Sequence, residues 1–357
     1  MFRSLSLQAI VMETKVYQVD PASPDPALLK EAGVLLRSGS LVAFPTETVY
    51  GLGANALDAD AVAGIFQAKG RPQDNPLIIH LSDRTQLEHY VREVPAAALS
   101  LMDKFWPGPL TLIFPRSARV PDVVTGGLDT VAVRVPAHPI ARALIAAAGV
   151  PLAAPSANVS GRPSPTEAAH VLADLEGRIP LVIDGGPANI GLESTVVSLL
   201  TSPPTLLRPG GITREQLEEI LGELQDHKVV GQVDAELQEV PSPGMKYRHY
   251  APQARVILVE GPAELVTAKM NEVAAELQAK GNSVGVILTN GAIASRGIKV
   301  RNLGGSPEEV AYDLFRSFRE FDQENVDVIL VEGVSGAGLG LAIMNRIRKA
   351  AFETIQV

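Results

Sequence analysis

Two threonines flank a glutamate in FPTETVYGLG (residues 44–53), directly after a short apolar run and ahead of two glycines. Hydroxyls and open backbone N–H groups at a strand end make a polar cup, and glycine lets a ligand approach the chain closely. A second stretch, IFQAKGRPQDNPLIIH (residues 65–80), gathers Lys69, Arg71, Asn75 and His80 between a helical pattern and the next apolar run. Lys69 and Arg71, separated by Gly70 and followed by Pro72, cannot share one helix face. Their charges converge more simply on an anion such as a polyphosphate. The chemistry these two stretches suggest is a nucleotide held beside a small polar substrate.

Further polar groups recur at the ends of apolar runs. PSANVSGRPSPTEAAHV (residues 155–171) sets Ser156, Ser160 and Ser164 around a glycine and Arg162, and Ser164 to Glu167 has the spacing of a capping box. A cap is the simpler reading of Ser164, yet a capped helix N-terminus also offers N–H groups to a phosphate, and the two can coexist. IDGGPANIGLESTVV brings Glu193, Ser194 and Thr195 before a strand, and LLRPGG puts Arg208 before a turn. Arg134, in VAVRVPAHP, is a charge inside an otherwise apolar strand. Such a charge is costly unless paired, so an ion pair and a ligand carboxylate compete for it. The company of other polar strand ends favours the ligand.

Other features carry less chemistry. His80 alone reads as structural, and its case rests on its neighbours. Trp106 in FWPGPLTL reads as a core residue in a rigid bend. VEGVSGAGLG (residues 331–340) follows a strand as a dinucleotide loop would, but its glycines miss the GxGxxG spacing. A tight turn or a surface meeting another domain fits it better. No Walker loop, nucleophile elbow or zincin pair is present in the 357 residues.

The elements that must position these groups divide the chain. Apolar runs at 41–44, 76–81, 110–114, 130–135, 151–154, 181–183 and 195–199 alternate irregularly with helical patterns at 26–38, 59–69 and 139–148. Proline and glycine corners replace many crossovers, so the spacing predicts a mixed, strongly twisted α/β sheet over residues 16–212. A linker or lid is expected over 213–253, where SPGMKYRHYAP (residues 242–252) has no apolar face. From 254 to 357 the strands ARVILVE, SVGVILT and VDVILVE alternate with helices at 262–280 and 306–323, the second opened by a Ser306–Glu309 capping box. That alternation predicts a small parallel-sheet, Rossmann-like domain.

Composition bounds the possibilities. Cysteine is absent, which removes disulfides, thiol nucleophiles and cysteine-based zinc sites. Net charge is −9, with neither half basic, and this counts against tight binding to a nucleic-acid backbone. The opening MFRSLSLQAIVM reads as a leader ahead of a second start at Met12 rather than a signal peptide, and no run reaches the roughly 20 apolar residues of a membrane span. A cytoplasmic protein is the default expectation.

Taken in order, PTETVYGLG, KGRPQDNPLIIH, FWPGPLTL, VAVRVP, APSANVSG with SPT, ESTVV, LRPG and SPGMKYRHYAP resemble the threonylcarbamoyl-AMP synthase family. The resemblance covers a YrdC-like catalytic domain, the linker and the extra C-terminal domain of the long form. It implies the joining of L-threonine, bicarbonate and ATP into threonylcarbamoyl-AMP with release of pyrophosphate, for a separate enzyme that modifies tRNA. By position, Thr48, His80, Arg134, Ala154 and Ser194 match the threonine site. Arg71, Asn75, Thr130, Ser156, Ser164 and Arg208 match the ATP site, with Lys69 beside the phosphates and Tyr247 or Tyr250 closing over the nucleotide. The substrate's own carbamate is the nucleophile, so Lys69 and Arg71 serve by charge and position. Mg²⁺ is implied only as an ion held by ATP phosphates and water. The linker, through Lys246, Arg248 and His249, is expected to act as a lid. A hydrogenase-maturation carbamoyltransferase would need cysteines that are missing here, and a non-catalytic RNA-binding module would need a basic, aromatic stripe.

Overall fold

The computed structural model describes residues 12–230, 249–289, 291, 293–294 and 297–357. Eleven strands build the first sheet: β1 (Lys15–Gln18), β2 (Val42–Phe44), β3 (Gly51–Asn55), β4 (Ile78–His80), β5 (Leu110–Pro115), β6 (Thr130–Arg134), β7 (Leu152–Ala153), β8 (Leu181–Asp184), β9 (Thr195–Ser198), β10 (Thr205–Arg208) and β11 (Gln225–Asp226). Their order across the sheet is β1-β8-β2-β3-β7-β4-β6-β5-β9-β10-β11, with parallel and antiparallel neighbours mixed. The mixed sheet expected from the short runs and proline corners is therefore present.

Local chemistry sets the helices that brace this sheet. Asp25 caps the helix Pro26–Arg37, which starts on proline and buries Leu29, Ala32, Gly33 and Leu36 on one stripe. That stripe packs on the helix Pro139–Ala148 so closely that a Cβ on Gly33 would lie 2.7 Å from the Ala147 carbonyl carbon. The helix Ala59–Lys69 is capped by Asp58 and ended by Gly70 in the left-handed region, φ 61°. The reversal at Gly70 sends Lys69 inward and leads the chain directly to Arg71.

Five parallel strands form the second sheet: β12 (Arg255–Glu260), β13 (Val284–Leu288), β14 (Lys299–Asn302), β15 (Val328–Glu332) and β16 (Glu353–Gln356). Their order is β14-β13-β15-β12-β16, as expected for a Rossmann-like unit. The helix Pro307–Gln323 carries the Ser306–Glu309 capping box and buries Leu314, Phe315, Phe318 and Phe321. The glycine-rich loop after β15 meets the helix Arg214–Leu221, in the stretch expected as a linker, since the Gly338 N–H donates to Glu215 Oε1 at 3.2 Å. Among the described residues no helix is long and apolar enough to cross a membrane.

Candidate functional site

Strand register brings the first group of polar side chains together. In the parallel pair β4–β6, His80 lies opposite Arg134, while β7 on the other flank of β4 places Leu152 opposite His80 and ends beside Ala154. Arg134 is buried, and its Nη2 lies 2.7 Å from Glu47 Oε1. Its Nη1 donates to Thr48 Oγ1 at 2.9 Å and its Nε to the Gly108 carbonyl at 3.1 Å. Of the two partners weighed from sequence, the ion pair is thus present, and the same guanidinium lines a cleft. Burial would raise the Glu47 carboxyl, but the Arg134 charge and the Ala137 N–H hold it below the usual range.

The Thr46-Glu47-Thr48 turn is locked from within. Thr46 Oγ1 donates to the Val49 carbonyl at 2.6 Å and lies 2.8 Å from Thr48 Oγ1. His80 is neutral, because burial first and the Arg134 charge second lower its pKa to about 3. Its Nδ1 donates to the Ile78 carbonyl at 3.2 Å. Ser194, next to β9, shares a 2.8 Å hydrogen bond with Thr111 Oγ1 of β5 and accepts from Arg208 Nη2 at 3.1 Å. Arg208 reaches it because β9 and β10 pair antiparallel with an irregularity between Leu206 and Arg208.

These groups share one cleft. It is lined by Thr46, Thr48, Val49, Tyr50, Gly51, Arg71, Ile78, His80, Arg134, Ala154, Pro155, Ser156, Glu193, Ser194, Arg208, His249 and Tyr250. All five residues matched to a threonine site are among them, with Arg71, Ser156, Arg208 and Tyr250 from the nucleotide set. The free space inside is about 70 Å³. Small-molecule pockets usually begin near roughly 300 Å³, so the cleft as it stands is smaller than two substrates need, with His249 and Tyr250 among its walls.

Four expected site residues lie outside this lining. The Lys69 side chain is buried, with Nζ donating to the Ser156 carbonyl at 2.5 Å and the Asn158 carbonyl at 2.6 Å. Burial and then the Arg71 charge push its pKa well below that of an ordinary lysine, so it props the Ser156 loop from behind. Thr130 starts β6 opposite Pro115, and the four steps along the five-residue strand separate it from Arg134 by about 13 Å. Asn75 is buried behind Arg71, whose Nη2 donates to its carbonyl at 3.1 Å, and its side-chain amide has no partner among the described residues.

Ser164 forms no capping box, because the helix begins four residues later, at Ala168, with Glu167 as an N-cap that makes no side-chain bond. Its hydroxyl instead donates to Glu193 Oε1 at 2.5 Å. Of the two tyrosines expected over the nucleotide, Tyr250 lines the cleft, while Tyr247, Lys246 and Arg248 lie outside the described residues.

Glu193, which the sequence places among the polar residues before a strand without a role in either substrate site, lines the cleft. Burial would raise its carboxyl, but the charges of Arg346 and Arg208 hold it below the usual range. Arg346 Nε donates to its Oε2 at 2.8 Å. The only hint was the placement of Glu193 beside Ser194, since its partner stands 153 positions further along. Among the described residues no group of three His, Cys, Asp or Glu side chains could hold a metal ion.

Comparison with known proteins points to one family. The profile described as telomere recombination, covering Sua5, YciO and YrdC, matches residues 34–210, and the profile of the threonylcarbamoyl-AMP synthase C-terminal domain matches 212–352. The threonylcarbamoyl-AMP synthase of Pyrococcus abyssi is 54% identical over 323 residues, 90% of this chain and 94% of that protein. The Bacillus subtilis protein of the same name is 48% identical, over 95% of this chain and 98% of its own length. The crystal structure of P. abyssi Sua5 complexed with L-threonine superposes with a TM-score of 0.92 at 51% identity, covering 96% of this chain and all of that one.

Proposed function

The chain belongs to the threonylcarbamoyl-AMP synthase family, and on that premise we propose how its cleft joins L-threonine, bicarbonate and ATP into threonylcarbamoyl-AMP and pyrophosphate. It is an AMP-transferring enzyme of the nucleotidyltransferase kind. The observation that carries the reading is the convergence of Thr48, His80, Arg134, Ala154 and Ser194 with Arg71, Ser156 and Arg208 on one cleft.

The amino acid lies along β4, β6 and β9. Arg134 takes its carboxylate, for which a planar guanidinium already oriented by Thr48 and Gly108 is well suited. Neutral His80 and the Thr48 and Ser194 hydroxyls orient the rest without adding charge. Threonine's amine adds to CO₂ from bicarbonate and loses a proton to give a carbamate. A carbamate oxygen then forms the bond to the α-phosphorus of ATP as the bond to pyrophosphate breaks. No protein nucleophile is consumed, so the residues supply position, charge and exclusion of water from a labile anhydride.

Arg71, steadied from behind by the Asn75 carbonyl, and Arg208 face the nucleotide, which arrives as its magnesium complex with the ion on phosphates and water. Tyr250 closes over it, and Lys69 holds the Ser156 loop. The product passes to a tRNA-modifying enzyme, and both enzyme and substrates belong to the cytoplasm. The test is threonine-dependent release of pyrophosphate from ATP in bicarbonate with no RNA present, with the adenylate identified by mass. Salt-sensitive RNA binding without such turnover would replace this reading with an RNA-binding module.

A further inference from the structure

The second unit does more than sit beside the cleft. Arg346, on the helix Gly340–Ala350, is fully buried, and its Nε donates to Glu193 Oε2 at 2.8 Å. Its Nη1 donates to the Pro209 carbonyl at 2.8 Å, one residue after Arg208. Its guanidinium carbon stands 5.5 Å from the centre of the Tyr250 ring, and that ring stacks on Phe315 of the helix Pro307–Gln323 at 5.3 Å. Three parts of the cleft wall therefore meet one side chain from the parallel-sheet unit.

The same unit also fixes the loop before Glu193. Gly191 has φ 83°, and a Cβ there would lie 2.3 Å from the Ala311 carbonyl oxygen, so only glycine lets the helix Pro307–Gln323 rest on this loop. The loop in turn binds the threonine turn, with the Ile190 N–H donating to the Glu47 carbonyl at 2.9 Å and the Gly191 N–H to the Thr48 carbonyl at 3.1 Å. A second contact, Arg319 Nη2 to Asp174 Oδ2 at 2.9 Å, ties the two units at a distance from the cleft.

We propose that Arg346 is a positioning residue for the reaction, through which the parallel-sheet unit holds Glu193 and the strand end at Arg208 in the geometry that binds the nucleotide. The proposal rests on the synthase reading of the cleft. It gives this unit a role in turnover that does not require a ligand of its own. A buried carboxylate deprived of its cation rearranges or takes a proton, and Ser164, bonded to it, and Arg208, whose charge acts on it, then lose their common support.

The test is a double-mutant cycle with Arg346→Gln, Glu193→Gln and the pair, beside Arg346→Lys and the control Arg348→Gln. Arg348 lies two residues along the same helix but pairs with Glu260, away from the cleft. Arg346→Gln is expected to raise the KM for ATP by about 30-fold with a threonine KM within about threefold of the parent, the pattern of lost binding at one subsite. The pair should be no worse than Glu193→Gln alone, because the two side chains act as one unit. Arg346→Lys should recover part of the loss and Arg348→Gln should match the parent. A purely structural Arg346 would instead lower the melting temperature and the active fraction with both KM values unchanged.

If Arg346→Gln does not fold, Arg346→Lys decides by the same KM split. Folded Arg346 variants with parental KM values for ATP, or effects that multiply in the pair, would overturn the proposal. Parental protein without turnover would count against the synthase reading instead. Equilibrium binding of ATP to the same five proteins would then still rank them, and equal affinities would sink the brace.

Discussion

The two halves of the cleft are built in different ways. The amino-acid half stands on paired strands, with His80 and Arg134 facing each other in the β4–β6 register and Ser194 at the foot of β9. The nucleotide half is assembled from unlike pieces: Arg71 after a helix cap, Ser156 in a loop, Arg208 at a strand end and Tyr250 pinned by a second unit. Register places every residue of a strand once one pair is fixed, and it does so to within the pleat. Loop residues have no such rule and take their places from turn chemistry and from whatever packs on them. All five residues expected in the first half line the cleft, whereas Asn75, Thr130 and Ser164 of the second do not.

The largest effect that bears on this contrast should come from Arg134. Arg134→Met would strand buried Glu47 and cost about 3–5 kcal/mol of stability, so a loss of activity there would say little about substrate. Arg134→Lys keeps the charge and gives up the fork toward Thr48 and Gly108. It should raise the threonine KM by about 10–100-fold, the worth of roughly 1.5–3 kcal/mol of charge-assisted hydrogen bonding. The KM for ATP should stay within about twofold if the halves are independent. Steady-state kinetics with each substrate varied would show it, and equal rises in both constants would dissolve the distinction.

The same contrast explains what could be read from the chain. The seven strand-like runs of the first sheet and the three strands of the second appear where alternation and turn residues put them, because those signals are local. Ser306 caps its helix as spaced, but Ser164 does not, although both sit in the same S-P-x-E pattern. The difference is Glu193, a buried carboxylate 29 positions away that takes the Ser164 hydroxyl. Thr130 lies outside the lining for a simpler reason, since a strand has two ends and Thr130 stands at the one away from Arg134. Glu193 could be named as a polar residue before a strand, but its pairing with Arg346 was illegible because no local pattern links them, and it makes sense only once the two units meet.

On the nucleotide side the next effect should be smaller and uneven. Tyr250→Ala is expected to raise the KM for ATP about tenfold, within the roughly 1–3 kcal/mol an aromatic ring is worth against a base, with the threonine KM unchanged. Ser164→Ala should cost only about threefold, since its hydroxyl serves Glu193 and a single hydrogen bond is worth roughly 0.5–1.5 kcal/mol. The ratio is the informative quantity. A Ser164 effect equal to that of Tyr250 would mean that Ser164 turns from Glu193 to the nucleotide when substrates bind.

The smallest effect at neutral pH concerns the histidines, one from each half. His80 has its pKa lowered to about 3 by burial and then Arg134, and His249 to about 3 by burial and then Arg71. An unfolded histidine titrates near roughly 6.5, so as pH falls the unfolded chain takes up protons that the folded protein refuses. Stability from these sites is therefore whole above about pH 6.5 and is lost progressively down toward the folded values, by at most about 1.4 kcal/mol per pH unit for each proton. Urea unfolding at pH 7.5 and pH 5 should show the decline, and His80→Asn and His249→Asn should each flatten it while differing in which KM they disturb. Here the halves should behave alike, because a proton responds to burial and neighbouring charge, whether a strand or a loop supplies them. A parental stability that stayed level between those two pH values would mean the imidazoles gain protons in the folded state, and a neutral His80 beside Arg134 could not then be part of the threonine site.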